Sequence, residues 1–140
     1  MHELSHCATT VCECAAEAAH SFLADATKLG SWALGCWNAR PIGEHAVRGT
    51  SLFDGETSVV RISAKPDLIV DYVVEDVEGS RGPRVSARVV PGAVVGLPET
   101  HCLVTLVAWR TLNMSDDRWA RLTASHDVEV LLVKAGVEAL

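Results

Sequence analysis

No stretch of the chain is apolar for long enough to cross a membrane. The most apolar loop, residues 89–97, is broken by Pro91, Gly92 and Gly96, whereas a spanning helix needs about 20 predominantly apolar residues. Basic charge is also lacking. The formal net charge is −6, and a chain without a basic stripe is a poor ligand for phosphate backbones, so nucleic acid is not an expected partner. Arg81, Arg84 and Arg88 form a small local cluster, with Arg110 elsewhere. Arg84 and Arg88 would share the solvated face of one strand. No Cys-x-x-Cys or His-x-x-x-His spacing is present to hold zinc. The sequence also lacks a Ser-His-Asp order, a phosphate-binding glycine loop and a dinucleotide fingerprint. The reading therefore calls for no cofactor and no metal. The five cysteines are odd in number and are expected as buried free thiols rather than a disulfide framework. The first residues, from Met1 to His6, are polar, without the apolar core of a secretory signal, and a cytoplasmic protein is expected.

What remains is an ordinary globular composition, with 49% hydrophobic and 21% charged residues. The length, 140 residues, suits one domain over 1–140. No repeat, linker or low-complexity segment interrupts it.

The pattern along the chain is strand, short helices, a run of strands and a long helix. Residues 3–11 alternate and are rich in Ser and Thr, as in an edge strand. Residues 13–24 are Ala-rich, with Ala18, Phe22 and Leu23 at helical spacing, and a second short helix is expected over 26–31. Strands follow at 36–40, 46–53, 57–64, 68–76, 84–90 and 101–110. The first of these is expected to stop at Pro41-Ile42-Gly43, and Asp54-Gly55 marks a hairpin turn. Alternation puts Leu68, Val70, Tyr72 and Val74 on one face of their strand, and Val85, Ala87 and Val89 on one face of theirs. The last strand is apolar on both faces, which predicts either a covered central strand or a subunit contact. Ser115 is a good helix cap, followed by Asp116 and Asp117 where the helix dipole favours acid. Along that final helix, Trp119, Leu122, His126, Glu129, Val130, Val133, Val137 and Leu140 share one face.

This order resembles the SRPBCC superfamily, which includes START domains, birch-pollen-allergen-like proteins and polyketide cyclases. Locally, the stretch from Ala15 to Asp25 looks like the family's first helix with its closing Asp. The stretch Leu29-Gly30-Ser31-Trp32-Ala33-Leu34-Gly35 resembles the family's segment with a central Trp before Gly, and Glu129 and Lys134 match the charged spacing of its last helix. The resemblance implies an α+β helix-grip fold. A curved antiparallel sheet of about seven strands would wrap around the long C-terminal helix, with two short helices after the first strand. It also implies a cavity between sheet and helix. Family members bind lipids, sterols, aromatic polyketides or quinones, and some are enzymes, so the fold transfers a cavity rather than a reaction.

Within that frame, Trp32, Trp37, Tyr72, Trp109 and Trp119 are the candidate ligand-binding residues, because rings line pockets for flat apolar molecules. Core packing accounts for any one Trp equally well. His126 and Glu129 are the candidate catalytic pair, being neighbours at i and i+3 on the apolar helix face. Glu129 could orient His126 as a general base, with Tyr72 polarising a bound carbonyl. The alternative is a satisfied structural pair. Three readings follow. The first is a binder of a small hydrophobic or aromatic ligand, the second a cofactor-free cyclase- or dehydratase-like enzyme, and the third a homodimer joined through the strand at 101–110.

Overall fold

A computed structural model describes residues 3–75 and 82–140. The first strand, β1, covers Ser5–Cys12, and α1 covers Ala16–Ala24. Two 3-10 turns follow, Leu29–Ser31 and Leu34–Cys36. Then come β2 (Trp37–Gly43), β3 (Ala46–Thr50), β4 (Thr57–Lys65), β5 (Ile69–Glu75), β6 (Val85–Pro91) and β7 (Cys102–Trp109). The chain closes with α2, Asp116–Glu138. The expected strand end at Asp76, the turn-rich stretch from Glu78 and the basic residue Arg81 lie outside the described residues.

The strands form one antiparallel sheet in the order β1-β7-β6-β5-β4-β3-β2. Every connection except that between β1 and β2 joins sheet neighbours. Those two strands lie at opposite edges, and between them the chain spends α1 and the two turns. The second short helix is thus a 3-10 turn. Strand β2 runs through Pro41 rather than stopping before it. It is an edge strand, where a residue without an N–H is tolerated, and its pairing with β3 is irregular on both sides of Arg40 and Pro41.

Burial follows the alternation on the central strands. Val70 and Tyr72 on β5 and Ala87 and Val89 on β6 are buried on the inner face. On β7, Cys102, Val104, Leu106 and Ala108 are all buried, and the outer residues Leu103 and Val107 are partly so. Strand β7 lies inside the sheet, between β1 and β6.

Ser115 caps α2 as expected, accepting the Arg118 N–H at 3.2 Å. The buried face of α2 carries Trp119, His126, Glu129, Val130, Val133 and Val137. Leu140 departs from it, at 72% exposed, because it lies beyond the last helical turn. At this end Lys134 Nζ reaches the Val11 carbonyl on β1 at 2.8 Å and Glu138 at 2.6 Å, and Glu138 accepts the Glu13 N–H at 2.8 Å. The helix is thereby tied to the β1 edge, and its main sheet contacts are with β1 and β7. The inner faces of β4 and β5 are left to border open space. No helix among the described residues is long and apolar enough to cross a membrane.

Candidate functional site

The space left between α2 and the sheet is a cavity of about 480 Å³. Its sheet wall includes Val60, Tyr72, Val74 and Val85, its helix wall Leu122, His126 and Glu129, and its roof Leu29, Trp32 and Cys36 from the 3-10 turns. Phe53, Asp54 and Glu56 from the β3–β4 hairpin form part of its edge, facing Arg118 of α2. Arg118 stands 3.7 Å from Asp54 and lies over the Phe53 ring at 5.9 Å, so the hairpin and the helix meet across the rim.

Of the residues the sequence singled out, Trp32, Tyr72, Trp109, His126 and Glu129 all line this cavity. Trp32 is buried and meets Tyr72 edge to face at 5.5 Å. Trp109 is 41% exposed. Trp37 and Trp119 lie outside the lining. Trp37 opens the edge strand β2. Trp119 packs with Ala108 and Met114 in a separate small core, under the Arg110 guanidinium at 6.0 Å. Helical periodicity put Trp119 on the inner face correctly, but it cannot distinguish the part of that face over packed strand from the part over open space.

Glu129 is the polar centre of the site. It is buried, and its Oε2 accepts the Leu34 N–H at 2.8 Å. Its Oε1 stands 3.6 Å from His126 Nε2, beyond good hydrogen-bond length. His126 is also buried, with Nδ1 lacking a partner among the described residues. Burial disfavours both charges. It pushes the Glu129 carboxyl up to about 7, against the opposing Leu34 N–H. It lowers His126 to about 4, helped by the nearby His6. His6 itself is held by Asp127 at 3.0 Å, with its ring 6.4 Å from that of His126.

These shifts reverse the expected division of labour. The sequence suggested a carboxylate raising the pKa of a histidine base. Instead the imidazole is held neutral, and the carboxyl is the group that titrates near neutrality. Tyr72 differs from expectation as well. Its hydroxyl donates to the Leu23 carbonyl at 2.6 Å, and burial pushes its pKa well above the usual phenol value. Its proton is therefore committed to the backbone, and it faces the cavity as a ring.

Several groups in or beside the lining carry no sequence signal. Leu34 contributes only a backbone N–H. Arg84 was expected on a wet face; it is half-buried and lines the cavity, because it precedes β6, where the strand alternation starts. Phe53 and Arg118 are brought together by the hairpin turn, and no spacing rule connects them. Arg61 pairs with Glu75, and Asp71 accepts from Ser86 at 2.6 Å.

Among the described residues no group of three or more His, Cys, Asp or Glu is arranged to hold a metal. His101 precedes β7 and Cys102 begins it, whereas His126 neighbours His6, which pairs with Ala108 near the other end of that strand. All five cysteines are free, and Cys7 is exposed rather than buried. Cys14 and Cys102 approach to 3.9 Å, and burial pushes Cys102 up to about 12.

No family model matches the sequence, and no curated protein matches it. Solved structures do. A START superfamily protein from Mycobacterium smegmatis superposes with a TM-score of 0.69 at 12% identity, over 98% of this chain and 99% of that one. The Aha1 protein from Colwellia psychrerythraea, solved as a dimer, gives 0.69 at 14%, over 97% of each chain. The Zhui aromatase/cyclase from Streptomyces sp. R1128 gives 0.67 at 16%, over 98% and 94%. The chain therefore has the START-like, SRPBCC-type helix-grip fold: an open seven-stranded antiparallel sheet closed by a long C-terminal helix.

Proposed function

We propose that the protein binds a small hydrophobic or aromatic molecule in the cavity between the sheet and α2. The observation that carries this reading is the cavity of about 480 Å³ with Trp32, Phe53, Val60, Tyr72, Val74 and Leu122 in its wall. Small-molecule sites are concave and mainly apolar, with few polar groups, and have volumes of roughly 300–1,000 Å³. An aromatase/cyclase among the structural neighbours supports the same reading. The test is a melting-temperature screen of the full chain against bicyclic and tricyclic aromatics, quinones and fatty acids, with native mass spectra of any hit. A stoichiometric adduct that raises the melting temperature is expected. If no compound at millimolar concentration shifts melting or forms an adduct, the reading is overturned.

A second reading, proton transfer to or from the bound molecule, is favoured by Glu129. A cavity carboxyl raised to about 7 is matched to acid–base work near neutral pH. Neutral His126 would then supply hydrogen bonding rather than act as the base. Under this reading Glu129→Gln abolishes turnover of a bound carbonyl compound while sparing its binding. Turnover undiminished in that variant would contradict it.

A further inference from the structure

The two oxygens of Glu129 are not equivalent. Oε2 is occupied by the Leu34 N–H at 2.8 Å, whereas Oε1 has no hydrogen bond among the described residues and stands 3.6 Å from His126 Nε2. Glu129 lines the cavity although its side chain is only 9% exposed. The cavity thus holds a deeply placed carboxyl with one oxygen that has no hydrogen bond among the described residues. Around it stand aromatic rings: Trp32 and Tyr72, in mutual edge-to-face contact at 5.5 Å, with Phe53 and Trp109 further round the wall.

Of the other carboxylates in the lining, Asp54 stands 3.7 Å from Arg118 and Glu75 pairs with Arg61, so Glu129 is the acid that the cavity itself buries. Rings and a buried carboxylate together recognise organic cations. The ring faces attract the positive charge, and the carboxylate accepts the ammonium hydrogens. A neutral apolar ligand would leave the Oε1 acceptor unused.

We propose that the cavity takes an aromatic amine, its ammonium donating to Glu129 Oε1 and its rings lying against Trp32 and its aromatic neighbours. This rests on the binding reading above and names the ligand class. Two titratable neighbours of Glu129 are held neutral by burial. On α2, His126 stays neutral, with its pKa lowered to about 4 by burial and by His6 of β1, while Asp127 opposes the shift. On β5, Tyr72 stays neutral, pushed well above the usual phenol value. The 3-10 turn contributes the Leu34 N–H, and the rest of the lining contributes Asp54, Glu56, Glu75, Arg84 and Arg118. The carboxyl of Glu129 is the group that ionises near neutrality, so an amine should bind better as pH rises through about 7.

The test is calorimetric titration of the full chain with tryptamine and with indole-3-ethanol, which differ only in ammonium against hydroxyl. At about pH 8, where Glu129 is ionised, tryptamine is expected to bind roughly tenfold or more tightly than the alcohol. In Glu129→Gln, which keeps an acceptor for Leu34, that preference should vanish. In Glu56→Gln, at the rim, the preference should survive. Equal or weaker binding of tryptamine by the native protein overturns the proposal, as does a preference lost in Glu56→Gln and kept in Glu129→Gln. If Glu129→Gln does not fold, the native protein decides alone. Its amine preference must fall between about pH 8 and about pH 6, and a preference constant over that range overturns the proposal. Failure of both compounds to bind the native protein at millimolar concentration counts instead against the binding reading itself.

Discussion

At the scale of single residues, Glu129 and His126 set opposing pH responses. The Glu129 carboxyl is raised from 4.5 to about 7 in the folded chain. The folded state therefore binds its proton more tightly than the unfolded state, and stability falls as pH rises from 4.5 to about 7. His126 is lowered from 6.5 to about 4. The unfolded chain takes that proton first, so stability falls as pH drops from 6.5 to about 4. Between about 4.5 and 6.5 the two slopes oppose each other, and the chain is expected to be most stable there. Glu129→Gln removes one limb. The variant should gain on the order of 3 kcal/mol relative to the native protein above pH 7, and little of that near pH 5. Melting curves across this range check it; parallel pH profiles for the two proteins would contradict it. Tyr72→Phe leaves the Leu23 carbonyl without its buried donor, and a loss of about 1–3 kcal/mol is expected in denaturant unfolding. The chemistry-bearing pair was legible in the sequence, because i and i+3 on an apolar helix face make neighbours. The direction of the proton affinities was not, since it depends on desolvation and on the Leu34 N–H, and a backbone donor from a distant turn leaves no trace in side-chain spacing.

At the scale of elements, most of the architecture could be read from period and punctuation. The half-buried strands declared their inner faces, and Ser115 with its two following acids marked the start of α2. The misreadings fall where tertiary context overrides local signals. Pro41 looks like a strand terminator, but it is tolerated because β2 lies at the sheet edge. Leu140 fits the helix period and lies past the helix end. The turn Leu29–Ser31 illustrates how closely the roof of the cavity is packed. A Cβ added at Gly30 would come within 2.2 Å of the Ala39 backbone nitrogen. The turn can lie against β2 only with hydrogen in that position. Gly30→Ala should therefore cost about 3 kcal/mol or more, because backbone rather than a flexible side chain must move. A denaturant midpoint unchanged from the native protein would contradict this packing. Ser115→Ala should cost about 1 kcal/mol through loss of the cap to Arg118.

At the scale of the whole molecule, the cavity arises because α2 lies along β1 and β7 and not over β4 and β5. Family resemblance led to the expectation of a cavity, but its wall depends on residues from the hairpin, the 3-10 turns and the helix that are far apart in sequence. That is why Trp32 and Trp109 line it and Trp37 and Trp119 do not, a division invisible to composition. The four indole N–H groups therefore provide reporters inside and outside the site within one molecule. The most direct test is a two-dimensional ¹H–¹⁵N spectrum of the labelled chain titrated with a bicyclic aromatic such as 2-naphthol. The account predicts saturable movement of the Trp32 and Trp109 indole signals and of the Leu34 amide, with those of Trp37 and Trp119 nearly still. Movement confined to Trp37 and Trp119, or no movement at millimolar probe, would contradict the claim that this cavity is the binding site.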